Sequence, residues 1–150
     1  MIQVKDVVKS FDGNVVLNHV SANFEDGKVN MIIGQSGSGK TVLMKSMIGL
    51  HQIDEGEIIF DTSDGKKQNL AGMTEKEVRL LHREVGMLFQ GSALFDSMTV
   101  QENVMYPLEM FSEMSKEEMV ERARFCLERV NMPERAFGLM PSEISGGMQK

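Results

Sequence analysis

The sequence predicts an α/β fold in which a glycine-rich loop joins a buried strand to a helix. Alternating apolar residues before the loop predict antiparallel strands, and the nearly continuous apolar run VNMIIG leads directly into the loop. Capping-box patterns farther along the chain predict helices. We therefore expect an α/β core that carries an antiparallel part and an inserted helical part.

Composition and charge limit the partners that the chain can have. The 150 residues carry a net charge of −6 and one cysteine, Cys126. An acidic chain gives no electrostatic reason to expect nucleic acid or an anionic membrane surface, and one cysteine cannot form an internal disulfide. The sequence begins without a signal-peptide pattern, and no apolar run approaches the roughly 18–20 residues that span a bilayer. We therefore expect a cytoplasmic protein.

The first half of the chain alternates between strand and helix patterns. Residues 2–8 and 15–24 are partly alternating and β-branched, and the turn FDGN between them predicts an antiparallel pair. Residues 29–34 have the composition of a strand buried on both faces. Residues 40–50 predict a helix with Leu43, Met47 and Leu50 on one face.

The second half contains two strand patterns and two helix starts. The stretch GEIIFD predicts a strand, and the polar stretch DTSDGKKQN after it predicts a turn. The stretch REVGMLFQ predicts a second buried strand. A long irregular stretch, GSALFDSMTVQENVMYP, follows that strand. Capping boxes at residues 74–77 and 115–118 predict helix starts. The second of these helices should end before Pro133 and should bury a stripe of Met119, Ala123, Cys126 and Val130.

The stretch GQSGSGKT fits the pattern G-x-x-x-x-G-K-[ST] of a phosphate-binding loop. Glycines let successive backbone amides turn inward around phosphate oxygens, and the following helix adds its positive end. Lys40 can reach the outer phosphates, and the Thr41 hydroxyl can ligate magnesium. A glycine-rich turn without a ligand is the alternative, but the flanking strand and helix patterns favour a nucleotide site. The expected contacts are Gly34, Gln35, Ser36, Gly37, Ser38, Gly39, Lys40 and Thr41.

The phosphate-binding pattern ends at Thr41. A threonine at position 42, one residue past the pattern, is expected to make no contact with the nucleotide. The predicted loop site therefore stops at the first residues of the helix.

Three further features resemble the ATP-binding subunit of an ABC transporter. GMLFQ resembles the Q-loop of that family and ends at Gln90, ISGGMQK resembles its signature motif, and Phe11 lies where the family places an aromatic residue against adenine. The resemblance covers the whole chain. It implies the RecA-like P-loop NTPase fold of ABC nucleotide-binding domains, with an antiparallel β subdomain and P-loop core in residues 1–90 and a helical subdomain in residues 91–150.

The resemblance also implies roles for particular residues. Lys40 and Gln90 would act in catalysis, with Thr41 and Gln90 as magnesium ligands, and Phe11 would stack on adenine. Each role has a structural alternative, since Gln90 could be a surface residue at a strand end and Phe11 could pack in the core. Ser145, Gly146 and Gly147 would bind the γ-phosphate of a nucleotide held by a second copy of the subunit, or would only cap a helix.

The implied cofactors are ATP and Mg²⁺, and the implied partners are a second copy and a membrane-spanning permease. The permease would contact the apolar region after Gln90, which would place the protein on the inner face of the cell membrane. No nucleic-acid partner is implied.

The family continues beyond its signature motif with an Asp-Glu strand and a switch histidine, which have no counterparts in this sequence. We interpret Asp61 as a turn residue, and the histidines as solvated or structural. The sequence therefore resembles the N-terminal part of an ABC domain, and residues 1–150 are expected to bind ATP without hydrolysing it appreciably.

The segment SALFDSMTV, together with a signature motif that reads S-G-G-M, resembles the sequences of the ATPases of MCE-type phospholipid-trafficking systems. An importer of amino acids or other small solutes is the second interpretation. A phosphate-loop kinase or GTPase, and a soluble ABC protein that acts on DNA or the ribosome, are further alternatives. The chain shows neither a guanine-selecting motif nor basic patches, which disfavours both.

Overall fold

A computed structural model describes residues 1–61, 65–89 and 91–150, which form two compact units, Met1–Gly86 and Met87–Lys150. None of the helices in these ranges is long and apolar enough to cross a membrane. The strands are β1 (Ile2–Phe11), β2 (Asn14–Phe24), β3 (Glu55–Asp61) and β4 (Lys67–Asn69). The α-helices are α1 (Lys40–Met47), α2 (Glu75–Glu84), α3 (Val100–Phe111) and α4 (Lys116–Arg129). Short 3₁₀ turns lie at Leu70–Gly72, Glu134–Ala136 and Pro141–Glu143.

The first unit is built on a four-stranded sheet in the order β2-β1-β3-β4, in which each neighbouring pair is antiparallel. The predicted N-terminal strand pair is confirmed, and it is longer than predicted because Phe11 pairs with Asn14. Only Asp12 and Gly13 lie between the strands, and both have the positive φ that a two-residue hairpin turn requires.

One face of this sheet packs against α1 and α2. The buried cluster consists of Val4, Val7, Leu17, Leu43, Met47, Ile58, Phe60 and Leu81. Leu43 and Met47 lie one turn apart on α1, so the predicted apolar face is confirmed for these two residues. Leu50 was predicted on the same face but lies beyond the helix end and is 45% exposed. The helix ends because Gly49 takes up a left-handed conformation, with φ of 75°.

The prediction of a buried strand at residues 29–34 is wrong for the structure as described. Val29, Met31 and Ile33 are largely exposed, and only Ile32 packs against the core of the first unit. A buried strand needs a neighbour on each side. None of the strands in the described ranges pairs with this segment.

Two other predictions about strands and turns are also wrong. REVGMLFQ was predicted as a strand, but its first two residues end α2, residues 85–89 form no strand, and Gln90 lies outside the described residues. Within the predicted turn DTSDGKKQN, Asp61 is the last residue of β3, and the polar residues Lys67–Asn69 form the short edge strand β4. Asp61 pairs with Lys67 across these two strands. Residues 62–64 of that turn lie outside the described ranges.

Both predicted capping boxes are confirmed. Thr74 and Ser115 each cap the first turn of a helix, and the glutamate three residues later bonds back to the capping backbone amide. The predicted stripe of α4 is only partly correct. Ala123 is buried with Leu127, whereas Met119 and Cys126 are half-buried and Val130 is exposed because the helix ends at Arg129.

The second unit contains a helix that the sequence analysis assigned to an irregular stretch. Helix α3 begins after Thr99, whose side chain caps the Glu102 amide in a third capping box. Pro107 lies inside the helix and removes one backbone donor there. The irregular stretch therefore ends at Thr99.

The core of the second unit joins α3 and α4 to the chain that follows them. Its buried members are Val100, Leu127, Ala136, Phe137 and Ile144. The first amides of α3 donate to this later segment, from Val100 to the Leu139 carbonyl at 2.8 Å and from Gln101 to the Phe137 carbonyl at 2.9 Å. These bonds satisfy donors that a helix start leaves free, and they fix the chain that leads into residues 144–149.

Candidate functional site: a phosphate-binding loop and a second glycine turn

The loop between Ile33 and α1 is curled by its glycines. Gly37 and Gly39 have φ values of 81° and 86°. A residue with a side chain would be strained in this backbone conformation. The Ser38 amide donates to the Gln35 carbonyl at 3.2 Å, which closes a turn inside the loop. The loop is therefore bent around its own backbone as the sequence motif predicts.

Close packing requires a glycine at position 39 of the loop. A Cβ on Gly39 would lie 3.0 Å from the Val16 carbonyl oxygen and 3.1 Å from Leu17 Cδ2, so the loop is seated against β2. A Cβ on Gly34 would lie 2.7 Å from Ser38 Oγ. Gly39 thus fixes the start of α1 on the sheet, whereas a rotation of the Ser38 side chain would relieve the contact at Gly34.

Backbone amides at the start of α1 have no acceptor. The first helical hydrogen bond runs from the Leu43 amide to the Gly39 carbonyl at 2.8 Å, and no described group accepts from the amides of Gly37, Gly39, Lys40 or Thr41. Free amides at the positive end of a helix form an anion-binding nest.

The Lys40 ammonium is held against the backbone of the same loop. Its Nζ donates to the Gly34 carbonyl at 2.8 Å and to the Gln35 carbonyl at 2.6 Å. The side chain therefore folds back over the loop, and its charge adds to that of the helix start. The loop therefore carries both free amides and a cation, the two kinds of group that bind phosphate.

The residues present fit a magnesium nucleotide better than a metal ion alone. The described part of the chain contains no group of three or more His, Cys, Asp or Glu side chains that could hold a metal. Thr41, exposed at the first turn of α1, offers one hydroxyl oxygen. A magnesium ion here would need phosphate oxygens as further ligands, which agrees with its preference for substrate phosphates and water.

The assignment of a threonine to position 42 is wrong, because the residue there is Val42. Its side chain is half-buried and packs against the core of the first unit. A valine has no hydroxyl group with which to ligate a metal or bind a phosphate. Val42 therefore helps to seat α1 on the sheet, and Thr41 is the residue of this turn that carries a hydroxyl.

Phe11 is a surface residue, not a core residue. Its ring is 37% exposed, meets the His51 ring edge-on at a centroid distance of 5.4 Å, and lies 5.2 Å from Lys9 Nζ. Asp54 holds that ammonium at 2.6 Å and also accepts from the Ser10 amide, and these two hydrogen bonds keep the pKa of Asp54 below its usual value. An exposed ring with a cation beside it agrees with a stacking role, which stays a prediction.

Ser145, Gly146 and Gly147 form a second exposed glycine turn, in the second unit. The Met148 amide donates to Ser145 Oγ at 3.3 Å, and the Gln149 amide donates to the Ser145 carbonyl at 3.1 Å, which is the geometry of a capped first helical turn. Both glycines are exposed, and a Cβ on Gly146 would meet nothing within 4 Å. The surface beside Gly146 is therefore open to solvent.

This turn is held in place on both sides. Ile144 is buried in the core of the second unit, Met148 packs against the same core, and Gln149 Nε2 donates to the Pro141 carbonyl at 2.8 Å. These anchoring residues were not predicted from the sequence. The signal available for them was the apolar pair Ile144 and Met148, four residues apart on either side of the glycines.

The remaining residues singled out in the sequence have the following positions. Gln90 lies outside the described residues, so its roles in catalysis and in metal binding stay predictions. His19 Nδ1 lies 3.0 Å from Asp6 Oδ1, and His82 Nε2 lies 2.6 Å from the Ile48 carbonyl oxygen. Cys126 is half-buried on α4.

A curled glycine loop with free amides and an adjacent lysine at the start of a helix is typical of the P-loop NTPase class. The chain belongs to the ABC transporter family, whose sequence pattern it matches over residues 17–150. The family expectation and the predicted fold class are thereby confirmed, whereas the phospholipid subtype is not.

Curated relatives match this chain along its whole length. It is 40% identical over 150 residues to the glutamine transport ATP-binding protein GlnQ of Escherichia coli K12, of which it covers 60%. It is 35% identical to the methionine import ATP-binding protein MetN of Clostridium acetobutylicum, of which it covers 45%. It is 37% identical to the chloroplastic protein TRIGALACTOSYLDIACYLGLYCEROL 3 of Arabidopsis thaliana, of which it covers 41%. The chain thus spans at most 60% of these relatives.

Solved ABC cassettes share the fold. The bacterial ABC transporter cassette MJ0796, solved as a dimer, aligns with a TM-score of 0.86 at 31% identity. A dimeric post-hydrolysis state of the same cassette bound to ADP and Pi gives a TM-score of 0.86 at 30% identity, over 99% of this chain and 65% of that one.

Proposed function

We propose that the protein is the ATP-binding, ATP-hydrolysing subunit of an ABC transporter. The free amides of Gly37, Gly39, Lys40 and Thr41, with the Lys40 ammonium held on the same loop, support this proposal most strongly. The amides and the cation would hold the phosphates of ATP, and Phe11 would stack on the adenine.

The loop would act by positioning and charge compensation. Lys40 would exchange its bonds to the Gly34 and Gln35 carbonyls for bonds to the outer phosphates, where its charge offsets the charge that develops during phosphoryl transfer. Thr41 would contribute a metal ligand, and Mg²⁺ when bound supplies neutralisation of the phosphate charge. Gln90 would complete the ligand set and orient the attacking water.

A second copy would complete the site. Ser145, Gly146 and Gly147 expose a hydroxyl and open amides at the start of a turn, which suits the γ-phosphate of a nucleotide held by another subunit. The dimeric cassettes among the structural relatives support this arrangement. The nucleotide would then join two subunits, so the stability of the dimer would rise with the logarithm of the nucleotide concentration once that concentration exceeds the Kd.

We propose a permease as the second partner, contacted through the region after Gln90, and a location on the inner face of the cell membrane. We further propose that residues 1–150 bind nucleotide, and that appreciable turnover requires the remainder of a protein as long as its relatives.

The transported substrate has two candidates. The resemblance of SALFDSMTV and the S-G-G-M signature to MCE-type ATPases supports a phospholipid, and one relative, TRIGALACTOSYLDIACYLGLYCEROL 3, carries the name of a glycolipid. The names of GlnQ and MetN support an amino acid instead. Transport assays in vesicles that contain the full-length protein and its co-purified permease, with labelled phospholipid, glutamine and methionine, would decide between them.

Calorimetric titration of the full-length protein with ATP and magnesium tests the nucleotide proposal. We expect a saturable signal that Lys40→Ala weakens at least tenfold, since a charge-assisted phosphate contact is lost. Lys45→Ala, on the same helix but outside the loop, is the matched control and should bind as the unchanged protein does. Absence of ATP binding, or equal affinity in the Lys40 variant, would contradict the proposal.

A further inference from the structure

Asp54 binds two consecutive residues of β1 through its two carboxylate oxygens. Its Oδ1 accepts from the Lys9 ammonium at 2.6 Å, and its Oδ2 accepts from the Ser10 backbone amide at 2.6 Å. The Asp54 amide in turn donates to the Val8 carbonyl at 2.9 Å. Asp54 is therefore fixed by the sheet, and it fixes the part of β1 that leads into Phe11.

The ring of Phe11 depends on its neighbours for its position. It is 37% exposed, and phenylalanine has no polar group with which to form a hydrogen bond. Lys9 Nζ lies 5.2 Å from the ring centroid, and the His51 ring meets the Phe11 ring edge-on. The cation beside the ring is thus the same cation that Asp54 holds.

A second lysine–carboxylate pair joins the same two strands and shows what is special about Lys9. Lys5 Nζ lies 3.9 Å from Glu57 Oε2, and both side chains are roughly half exposed. No aromatic ring in the described part of the chain forms a cation–π contact with Lys5. Lys9, by contrast, is 14% exposed and is held at hydrogen-bond distance next to an exposed ring.

Both effects of Asp54 favour the binding of a flat aromatic ligand. Two electron-rich faces repel each other when they stack, and a cation beside one ring weakens that repulsion. A ring that is already held in place also loses less conformational freedom when the ligand arrives.

We propose that Asp54 is a positioning residue for base binding, which acts through Lys9 and Ser10 to place the Phe11 ring, with a cation beside it, against a purine base. The inference rests on the proposed function, in which Phe11 stacks on the adenine. The Lys9 ammonium carries the electronic part of the role, and the Ser10 amide carries the backbone part. This role concerns the base and is separate from phosphate binding by the loop around Lys40.

Two ligands separate the base from the phosphates in calorimetric titrations of the full-length protein. ATP with magnesium carries both, and inorganic tripolyphosphate with magnesium carries only the phosphate chain. The unchanged protein should bind ATP at least tenfold more tightly, because stacking on an aromatic ring stabilises the bound base. Phe11→Ala should remove most of that difference.

Two variants remove the parts of the network one at a time. Lys9→Met and Asp54→Asn should each weaken the binding of ATP about fivefold and leave the affinity for tripolyphosphate unchanged. Methionine keeps most of the lysine stem without its charge, and asparagine keeps an acceptor for the Ser10 amide without a charge for Lys9. Lys9→Arg keeps a cation and should bind ATP as the unchanged protein does.

The sign of the Asp54 effect distinguishes positioning from net charge. Removal of a carboxylate makes the chain less acidic, so charge alone would strengthen the binding of both anions. Positioning predicts weaker binding of ATP instead. Lys5→Met and Glu57→Gln change the other pair on these strands and should leave the ratio of the two affinities unchanged.

Full ATP affinity in Phe11→Ala, or in both Lys9→Met and Asp54→Asn, would overturn the inference, as would equal losses for both ligands. Thermal unfolding shows whether each variant is folded, and Lys9→Met remains decisive if Asp54→Asn is not. Any of these contrary results would leave nucleotide binding intact if ATP affinity still depended on Lys40. Loss of that dependence would reject the proposed function itself.

Discussion

Gly56 of β3 lies against the backbone of Asp6 of β1, so closely that a Cβ on Gly56 would be 2.4 Å from the Asp6 carbonyl oxygen. The contact occurs where the β1–β3 pairing shifts register between Lys5 and Val8. Asp6 itself has a φ of 51°, as does His19 of β2, to which its carboxylate is bonded. An irregularity therefore crosses three neighbouring strands at one level of the sheet.

Replacing Gly56 by alanine should destabilise the fold severely. The new Cβ would meet the backbone oxygens of Lys5 and Asp6, at 2.5 and 2.4 Å, and the φ of 92° strains any side chain. We expect the free energy of unfolding in urea to fall by more than about 2 kcal/mol. Gly13→Ala is the control, since its φ is 81° but its Cβ would meet nothing within 4 Å. The Gly13→Ala change should lower the free energy of unfolding by about 1 kcal/mol. Equal losses in the two variants would show that the contact between Gly56 and β1 does not affect stability.

Gly39→Ala should lower the thermal midpoint more than Gly37→Ala. The two glycines have similar positive φ values, so both changes introduce backbone strain. Only Gly39 faces β2, where a Cβ would press on the Val16 carbonyl and the Leu17 side chain. Differential scanning fluorimetry without nucleotide measures the difference. A larger effect at Gly37 would mean that the loop does not seat on β2 as described.

Ser46→Ala should stabilise the protein. Ser46 is fully buried on α1, and its hydroxyl has no hydrogen-bond partner among the described residues. Removing an unsatisfied buried hydroxyl and introducing the best helix former should raise the free energy of unfolding by about 1 kcal/mol. Ser46→Thr keeps the hydroxyl and adds a methyl group to a packed site, so it should destabilise. A loss of stability in the alanine variant would show that the hydroxyl is in fact satisfied.

Acid should destabilise the helices through their capping boxes. The carboxylates of Glu77, Glu102 and Glu118 accept hydrogen bonds from the backbone amides of Thr74, Thr99 and Ser115, which lowers the pKa of each below its ordinary value of 4.5. The unfolded chain then binds protons at higher pH than the folded chain does. The stabilisation of the folded chain by these three carboxylates is therefore complete above pH 4.5 and is lost as the pH falls below that value.

Urea midpoints measured between pH 7 and pH 3 follow this loss. In Glu118→Gln one titrating cap is replaced by a neutral acceptor, so the acid-induced decrease should be smaller than in the unchanged protein. Glu121→Gln, on the same helix but outside the box, should keep the full decrease. If the urea midpoints of both variants decreased equally with pH, the capping-box carboxylates would not be the cause of the acid-induced loss of stability.

Local patterns were enough to predict the features that depend on a few neighbouring residues. The hairpin turn at Asp12 and Gly13, the curled loop before Lys40 and two of the capping boxes all follow from residue types within one turn of chain. Helix α3 has the same signal in Thr99 and Glu102, but Pro107 and the apolar loop before it obscured the pattern.

Features that depend on distant neighbours could not be predicted in this way. An apolar run indicates burial, but Val29 and Ile33 show that burial also needs a partner strand. The anchoring of the Ser145 turn depends on the contact between Gln149 and Pro141, and the end of β1 before Phe11 depends on Asp54. Spacing alone indicates neither contact.

The exposed side chains of Val29, Met31 and Ile33 have a practical consequence for anyone who purifies residues 1–150. Aliphatic residues without a neighbouring strand readily template intermolecular sheets, so this polypeptide should precipitate as its concentration is raised. A Met31→Lys change would place a charge within this apolar run and should slow aggregation, measured as the increase of light scattering in concentrated samples.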